Sequence, residues 1–280
     1  MKTTTKLRQL LIRPGMLIAP GAHDVMTARL VETEGFDAVY LGGFAASASA
    51  LGVPDHSLFT MTELLDHARN VAAAVDIPIL ADIDDGGGTP LSVRRTIRLA
   101  EQAGLAAVHV EDLVPGKHFV GHKDKLFTKD QAVDKIKAAV DARTDPDFVI
   151  IARSDAIGVT SLEDALERGQ AYAEAGADLL FLPYLRPKDT KRAVEALSKP
   201  LFNVAIDTPQ EELARVGLKV AVYPVQSLFI TYKAVRDMMK ELKATGTIAN
   251  WAERTPSWEE FNTFIGATEA TELAKRYRIV

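Results

Sequence analysis

Short apolar, β-rich runs alternate with helical periodicity along the whole of this 280-residue chain, and that alternation restricts the fold to repeated βα units around a parallel sheet. Candidate strands lie at 16–20, 37–43, 77–84, 106–112, 148–155, 177–183, 200–205 and 219–225. Between them, segments such as 62–75, 90–103, 129–143 and 161–175 carry apolar residues at intervals of three and four. Gly35, Gly104 and Gly176 each stand just before a strand, where glycine serves as the residue that ends a helix. Eight such units predict an α/β fold of the (β/α)8, TIM-barrel type. With no obvious linker, residues 1–280 read as one domain, and 226–280 as its C-terminal helical extension.

In such barrels chemistry sits at the C-terminal ends of the strands. Applied here, that rule selects Tyr40, Asp82, Asp84, Asp85, His109, Glu111, Asp112, Arg153, Asp155, Tyr184, Asn203 and Tyr223. The densest of these ends is ILADIDDGGG, 79–88, where a buried strand runs into three carboxylates and then three glycines. Side chains alternate along a strand, so Asp82 and Asp84 are expected on one face, about 7 Å apart. Two such carboxylates repel in a site of low dielectric, and hard divalent cations relieve that repulsion. The competing reading is a turn whose aspartates cap the helix that starts near Pro90. Asp85 reads as a solvent-facing turn residue, His109 as a barrel-filling or orienting neighbour of Glu111, and Asp24 as a helix N-cap.

Two connections are long for this architecture. Residues 44–61 are rich in Ala and Ser, and residues 113–128 carry three lysines and two histidines. The second reads as a lid that brings positive charge over an acidic mouth. Its Lys117 and Lys123 either steer anionic substrates or are simply solvated. The chain has no cysteine, which excludes disulfides, thiolate metal sites and a cysteine nucleophile. A net charge of −5 and the lack of a long basic run argue against nucleic acid and against an anionic membrane surface. The apolar patch near the N-terminus is too short for a signal-peptide core or a bilayer span, so a cytoplasmic protein is expected. Past strand eight, Trp251, Trp258, Phe261 and Phe264 are too apolar for an unattached tail, and a helix is expected over 257–277.

In order along the chain, YLGG (40–43), ALGVPD (50–55), ADIDDGGG (81–88), SVRRT (92–96), HVED (109–112), GHKDK (121–125), IARSDA (151–156) and VYPV (222–225) resemble the isocitrate lyase and phosphoenolpyruvate mutase superfamily over roughly residues 15–240. The resemblance implies a modified (β/α)8 barrel, a homotetramer whose paired subunits exchange a helix, and Mg²⁺ as cofactor with Mn²⁺ as an alternative. It implies a small anionic 2-oxo or 2-hydroxy acid as substrate, handled through a pyruvate enolate. Carried over residue by residue, Asp82 is the direct metal ligand, and Asp84, Glu111 and Asp55 hold metal-bound water. Arg153 grips the substrate carboxylate in a forked pair. Backbone amides around Gly42, Gly43 and Phe44 hold carboxylate oxygens, with Tyr40 beside the substrate and Asn203 in contact with it.

The departures narrow the activity. Where the tricarboxylate lyases carry KKCGH or KRCGH, with a cysteine as general acid, this chain reads GKHFVGH. Their FPE glutamate falls at Tyr184, and the TEFG segment falls at Ile206 to Pro209, so both glutamates are missing. The mutase's lid asparagine is also absent. The enolate-stabilising half survives, pointing to a Mg²⁺-dependent carbon-carbon lyase for a small dicarboxylate, such as an oxaloacetate decarboxylase or an alkylmalate or methylisocitrate lyase. His118, His122 or Tyr184 replaces the lost acid, with His122 in the expected catalytic set alongside Asp55, Arg153 and Tyr40. Phosphonopyruvate hydrolase or mutase chemistry is one rival, and a barrel that binds oxo acids without turnover is another.

Overall fold

The computed structural model describes residues 1–279. Eight parallel strands form the centre: β1 (Leu17–Pro20), β2 (Val39–Leu41), β3 (Ile79–Asp82), β4 (Ala107–Glu111), β5 (Val149–Arg153), β6 (Leu179–Phe181), β7 (Leu201–Val204) and β8 (Val220–Tyr223). They pair in the order β1-β8-β7-β6-β5-β4-β3-β2, and a parallel bridge from Gly21 to Tyr40 joins the two outer strands. Every expected strand is present, shorter than expected at one or both ends. The fold is a (β/α)8 barrel of the TIM type with a C-terminal helical extension.

The helices are α1 (Thr3–Ile12), α2 (Val25–Thr33), α3 (Gly43–Leu51), α4 (Met61–Ala72), α5 (Pro90–Gln102), α6 (Lys129–Ala142), α7 (Ala156–Val159), α8 (Leu162–Glu174), α9 (Pro187–Ala196), α10 (Gln210–Arg215), α11 (Gln226–Thr245), α12 (Trp258–Phe264) and α13 (Ala267–Arg276). Their starts follow local chemistry. Asp24 caps α2 by accepting from the Thr27 amide at 2.7 Å, and Thr60 with Glu63 and Thr128 with Gln131 close reciprocal capping boxes on α4 and α6. Gly35, Gly104 and Gly176 end their helices at φ of 82°, 86° and 102°, a region costly for other residues.

Two expectations are corrected. The stretch 44–61 is not one long loop, because its Ala-rich first half forms α3, as alanine's high helix propensity favours. The expected helix over 257–277 is two, broken where Gly266 takes φ of 86°.

Apolar side chains form two layers. One fills the barrel, with Leu17, Leu80, Val149, Ile151, Leu179, Phe202 and Val220 all buried. The other lies between strands and helices. Leu7 of α1 packs on the inner layer, and Arg8 on the same helix donates to Asp178 at 2.8 Å and to the carbonyls of Asp147 and Phe148. Helix α1 thereby seals the lower pole and leaves the upper, C-terminal pole open. The chain divides into two compact units: Met1–Leu228, which holds the barrel, and a helical unit beginning at Phe229. Among the described residues, no helix is long and apolar enough to cross a membrane.

Candidate active site

A cleft of about 670 Å³ opens at the upper pole, and Tyr40, Gly42, Gly43, Phe44, Asp55, Asp82, Arg153 and Asn203 all line it. Strand β3 delivers Asp82, whose Oδ2 accepts from the Gly43 amide at 3.2 Å and Oδ1 from the Asp84 amide at 2.8 Å. A Cβ on Gly43 would come within 3.0 Å of Asp82 Oδ2, so glycine is needed for α3 to begin against that carboxylate. Asp84 shares the site with Asp82 by a different route from strand alternation. It lies beyond the end of β3 in the left-handed region, at φ of 47°, and that turn brings its carboxylate back. Glu111 ends β4. One oxygen from each of Asp82, Asp84 and Glu111 lies within 4.8 Å of the others.

Lys117 stands among these acids. It is 1 % exposed, with Nζ 2.7 Å from both Asp84 Oδ1 and Glu111 Oε1 and 3.7 Å from Asp55. Sequence reasoning left it as a steering or solvated charge; the signal overlooked was charge balance, since four clustered acids require cations from somewhere. Arg153 contributes the second. Its Nη1 lies 3.1 Å from Glu111 and 3.7 Å from Asp82, while Nε and Nη2 form a fork onto Asp155 at 2.7 and 2.9 Å. The fork expected to hold substrate is thus engaged by Asp155, and Nη1 is the edge left beside the acids.

The electrostatics follow from burial and these neighbours. Burial disfavours charge on Asp82, but His109, Lys117 and Arg153 outweigh it and hold the carboxyl well below its usual range. Burial, then the charge of Asp82, pushes Asp84 up to about 7. Burial takes His109 down to about 4. Tyr40, kept protonated by burial, lies 2.9 Å from His109 Nε2, and His109 Nδ1 lies 3.5 Å from Asp82. His109 is fully buried against Tyr40, Phe181 and Phe202 and orients the acids from below.

The solvent-facing role expected of Asp85 is corrected. It is buried, accepts from the Gly87 and Gly88 amides at 3.2 and 2.8 Å, and pairs with Lys135 of α6 at 2.7 Å. A run of three glycines at φ of 78°, 99° and 96° turns the chain so that this carboxylate points inward. Asn203 is buried with Oδ1 on its neighbour's amide, the Val204 N–H, at 2.8 Å. The three candidate replacement acids are dispersed. His118 lines the cleft, His122 lies in a separate hollow with Lys123, Asp124 and Asp155, and Tyr184, 59 % exposed, borders both.

The donor set fits a hard divalent cation. All its ligand atoms are carboxylate oxygens, and Glu111 Oε2, though 3.1 Å from Arg153 Nη1, is buried without a hydrogen bond of good geometry. Asp82, Asp84 and Glu111 would hold such an ion, drawing on oxygens that the Lys117 ammonium now meets. Carboxylates, a guanidinium and the N-terminus of α3 meet around one cleft at the C-terminal pole of the barrel, where proteins of this fold carry their active sites.

Comparison with known proteins narrows the class. The phosphoenolpyruvate phosphomutase family model matches residues 7–243. The 2,3-dimethylmalate lyase of Eubacterium barkeri is 39 % identical over 287 residues, covering 99 % of each chain. The crystal structure of phosphoenolpyruvate phosphomutase from Streptomyces platensis subsp. rosaceus superposes with a TM-score of 0.93 at 33 % identity, covering 98 % of this chain and 99 % of the other. Phosphonopyruvate hydrolase in complex with oxalate and Mg²⁺ gives a TM-score of 0.90 at 30 % identity, over 99 % of each chain. The chain belongs to the phosphoenolpyruvate mutase/isocitrate lyase superfamily.

Proposed function

We propose that this protein is a Mg²⁺-dependent carbon-carbon lyase, cytoplasmic and tetrameric, acting on a small 2-hydroxy or 2-oxo dicarboxylate. The observation that carries the reading is the carboxylate triad of Asp82, Asp84 and Glu111, ion-paired with Arg153 beside the cleft that Asp82 and Arg153 line. Bound to the triad, Mg²⁺ or Mn²⁺ supplies Lewis-acid stabilisation of the negative charge that develops as the bond breaks. Arg153 Nη1 and the N-terminus of α3 bind the substrate's carboxylates. Asp55, raised by burial, takes the proton of a 2-hydroxyl while the electron pair of the breaking bond passes to an enolate. Tyr40 and Asn203 position the acid from the floor. Pro183, Leu185, Ile206 and Val225 give the cleft an apolar wall, which favours an alkyl-substituted malate over an unsubstituted oxo diacid. The similarity to 2,3-dimethylmalate lyase supports the same choice.

Pyruvate release from oxaloacetate, alkylmalates, methylisocitrate and phosphonopyruvate, each with Mg²⁺, tests the reading. Turnover is expected with an alkylmalate, and Asp82→Ala is expected to abolish turnover and calorimetric Mg²⁺ binding together. Full activity in Asp82→Ala, or in metal-free enzyme, rejects the proposal. Phosphonopyruvate chemistry is the second reading, supported by the likeness to phosphonopyruvate hydrolase, and phosphate release would select it.

A further inference from the structure

Breaking a carbon-carbon bond in this way leaves an electron pair that must end in a C–H bond, and a chain without cysteine has to find the proton elsewhere. Among side chains bordering the cleft, Tyr40 is committed to His109 at its floor, and the exposed ring of Tyr184 leans on Gly158. His56 also lines the cleft, but its ring packs at a 32° tilt on Phe119, centroids 4.6 Å apart, and its Nδ1 is buried with no carboxylate or other group bonded to it. His118 is held differently. Its backbone amide donates to Asp124 Oδ1 at 2.6 Å, and its Nδ1 lies 3.0 Å from Asp124 Oδ2. One carboxylate therefore fixes both main chain and ring, and the proton on Nδ1 leaves Nε2 as the working atom. That atom lies 4.0 Å from Asp55 Oδ2.

The backbone of His118 sits at φ of 64°, in the left-handed region, as does that of Tyr184 at 68°. The preceding residue, Lys117, is anchored among the acids, so the lid enters the site in register with the charge cluster. We propose that His118 delivers the proton to the enolate carbon, with Asp124 as its positioning partner. This rests on the lyase reading above. In the step, the electron pair of the broken bond forms the new C–H bond with the Nε2 proton of the imidazolium, leaving a neutral ring whose Nδ1–H stays on Asp124. For a 2-hydroxy substrate, the proton that Asp55 took from the hydroxyl returns to Nε2, and the cycle closes without an outside donor. For a decarboxylation the proton is replenished from water.

The test uses the full-length enzyme with Mg²⁺ and whichever acid of the screen wild type cleaves. His118→Asn keeps a residue tolerant of the left-handed backbone and an amide N–H toward Asp124, while deleting Nε2. It is expected to lose about 10²- to 10⁴-fold in kcat with KM and Mg²⁺ affinity within a few-fold of wild type. His118→Gly, which fits the same backbone, is expected to recover part of its rate with added imidazole. Asp124→Asn is expected to fall between wild type and His118→Asn. Wild-type kcat in His118→Asn, or a loss in His118→Gly that imidazole leaves unchanged, overturns the assignment while the lyase reading stands. A wild-type enzyme that cleaves none of the acids overturns the lyase reading and this role with it.

Discussion

Lys117 is the residue on which the charge of the site turns. Its ammonium bridges Asp84 and Glu111 at 2.7 Å each in a place almost closed to water, so removing it leaves two or more buried carboxylates uncompensated. Breaking one side of a buried ion pair costs about 3–5 kcal/mol. Lys117→Met is therefore expected to melt well below wild type in EDTA and to regain most of the loss when Mg²⁺ is added, since an ion that binds only the folded state stabilises it by mass action. The same variant is expected to bind Mg²⁺ more tightly than wild type in calorimetry, because the ion no longer competes with an ammonium. Equal metal affinity in the two proteins would show that lysine and cation do not share oxygens. Residue identity was legible at this scale only in part. Asp82, Asp84 and Glu111 stand out as acids at strand ends. The left-handed turn at Asp84, the engagement of Arg153 by Asp155 and the inward swing of Asp85 to Lys135 all depend on tertiary neighbours that no spacing rule contains.

Between elements, Asp112 does the comparable work. Following β4, it accepts from Tyr172 and Ser154 hydroxyls at 2.8 Å each and from the Asp155 amide at 2.9 Å, with Arg168 at 3.3 Å. One carboxylate thus ties the ends of β4 and β5 to α8, behind the segment that carries Arg153 and Asp155. Asp112→Ala would leave the Tyr172 and Ser154 hydroxyls and the Asp155 amide without their acceptor, while Arg168 keeps Asp164 and the Phe127 carbonyl at 3.0 Å each. Chemical denaturation is expected to show a loss of about 3–5 kcal/mol, at about 1–3 kcal/mol for each buried group left unsatisfied. A change below about 1 kcal/mol would mean that water replaces those bonds. The strands themselves were readable because nearly all are buried on both faces, and a parallel sheet of that kind prints a continuous apolar run. Helix α3 was not, because Ala45, Ala46, Ser47, Ala48 and Ser49 carry no contrast between an apolar and a polar face. The seven-residue run from Lys117 to Lys123 hid its division of labour for another reason: the lid places Lys117 inside, His118 at the cleft and Val120 at 97 % exposure, and loop geometry has no period to read.

For the molecule as a whole, the second unit poses a problem of burial. Among its described residues, from Phe229 on, none is buried. Yet α11 presents Tyr232, Val235, Met239 and Leu242 at intervals of three and four, each at least 41 % exposed, and Trp258 is 85 % exposed. A stripe with that spacing is one face of a helix, and a face this apolar is stable in water only when covered. In the proposed tetramer, a second copy of the chain would bury it. Light scattering coupled to gel filtration is expected to give a mass several times that of one chain. Val235→Glu combined with Met239→Glu places two charges in the stripe, where each would have to be desolvated without a partner. That variant is expected to run as a smaller species while keeping the circular dichroism of the barrel. A wild-type chain that elutes as a monomer at micromolar concentration would remove the need for any such partner and leave the exposed face to be explained another way.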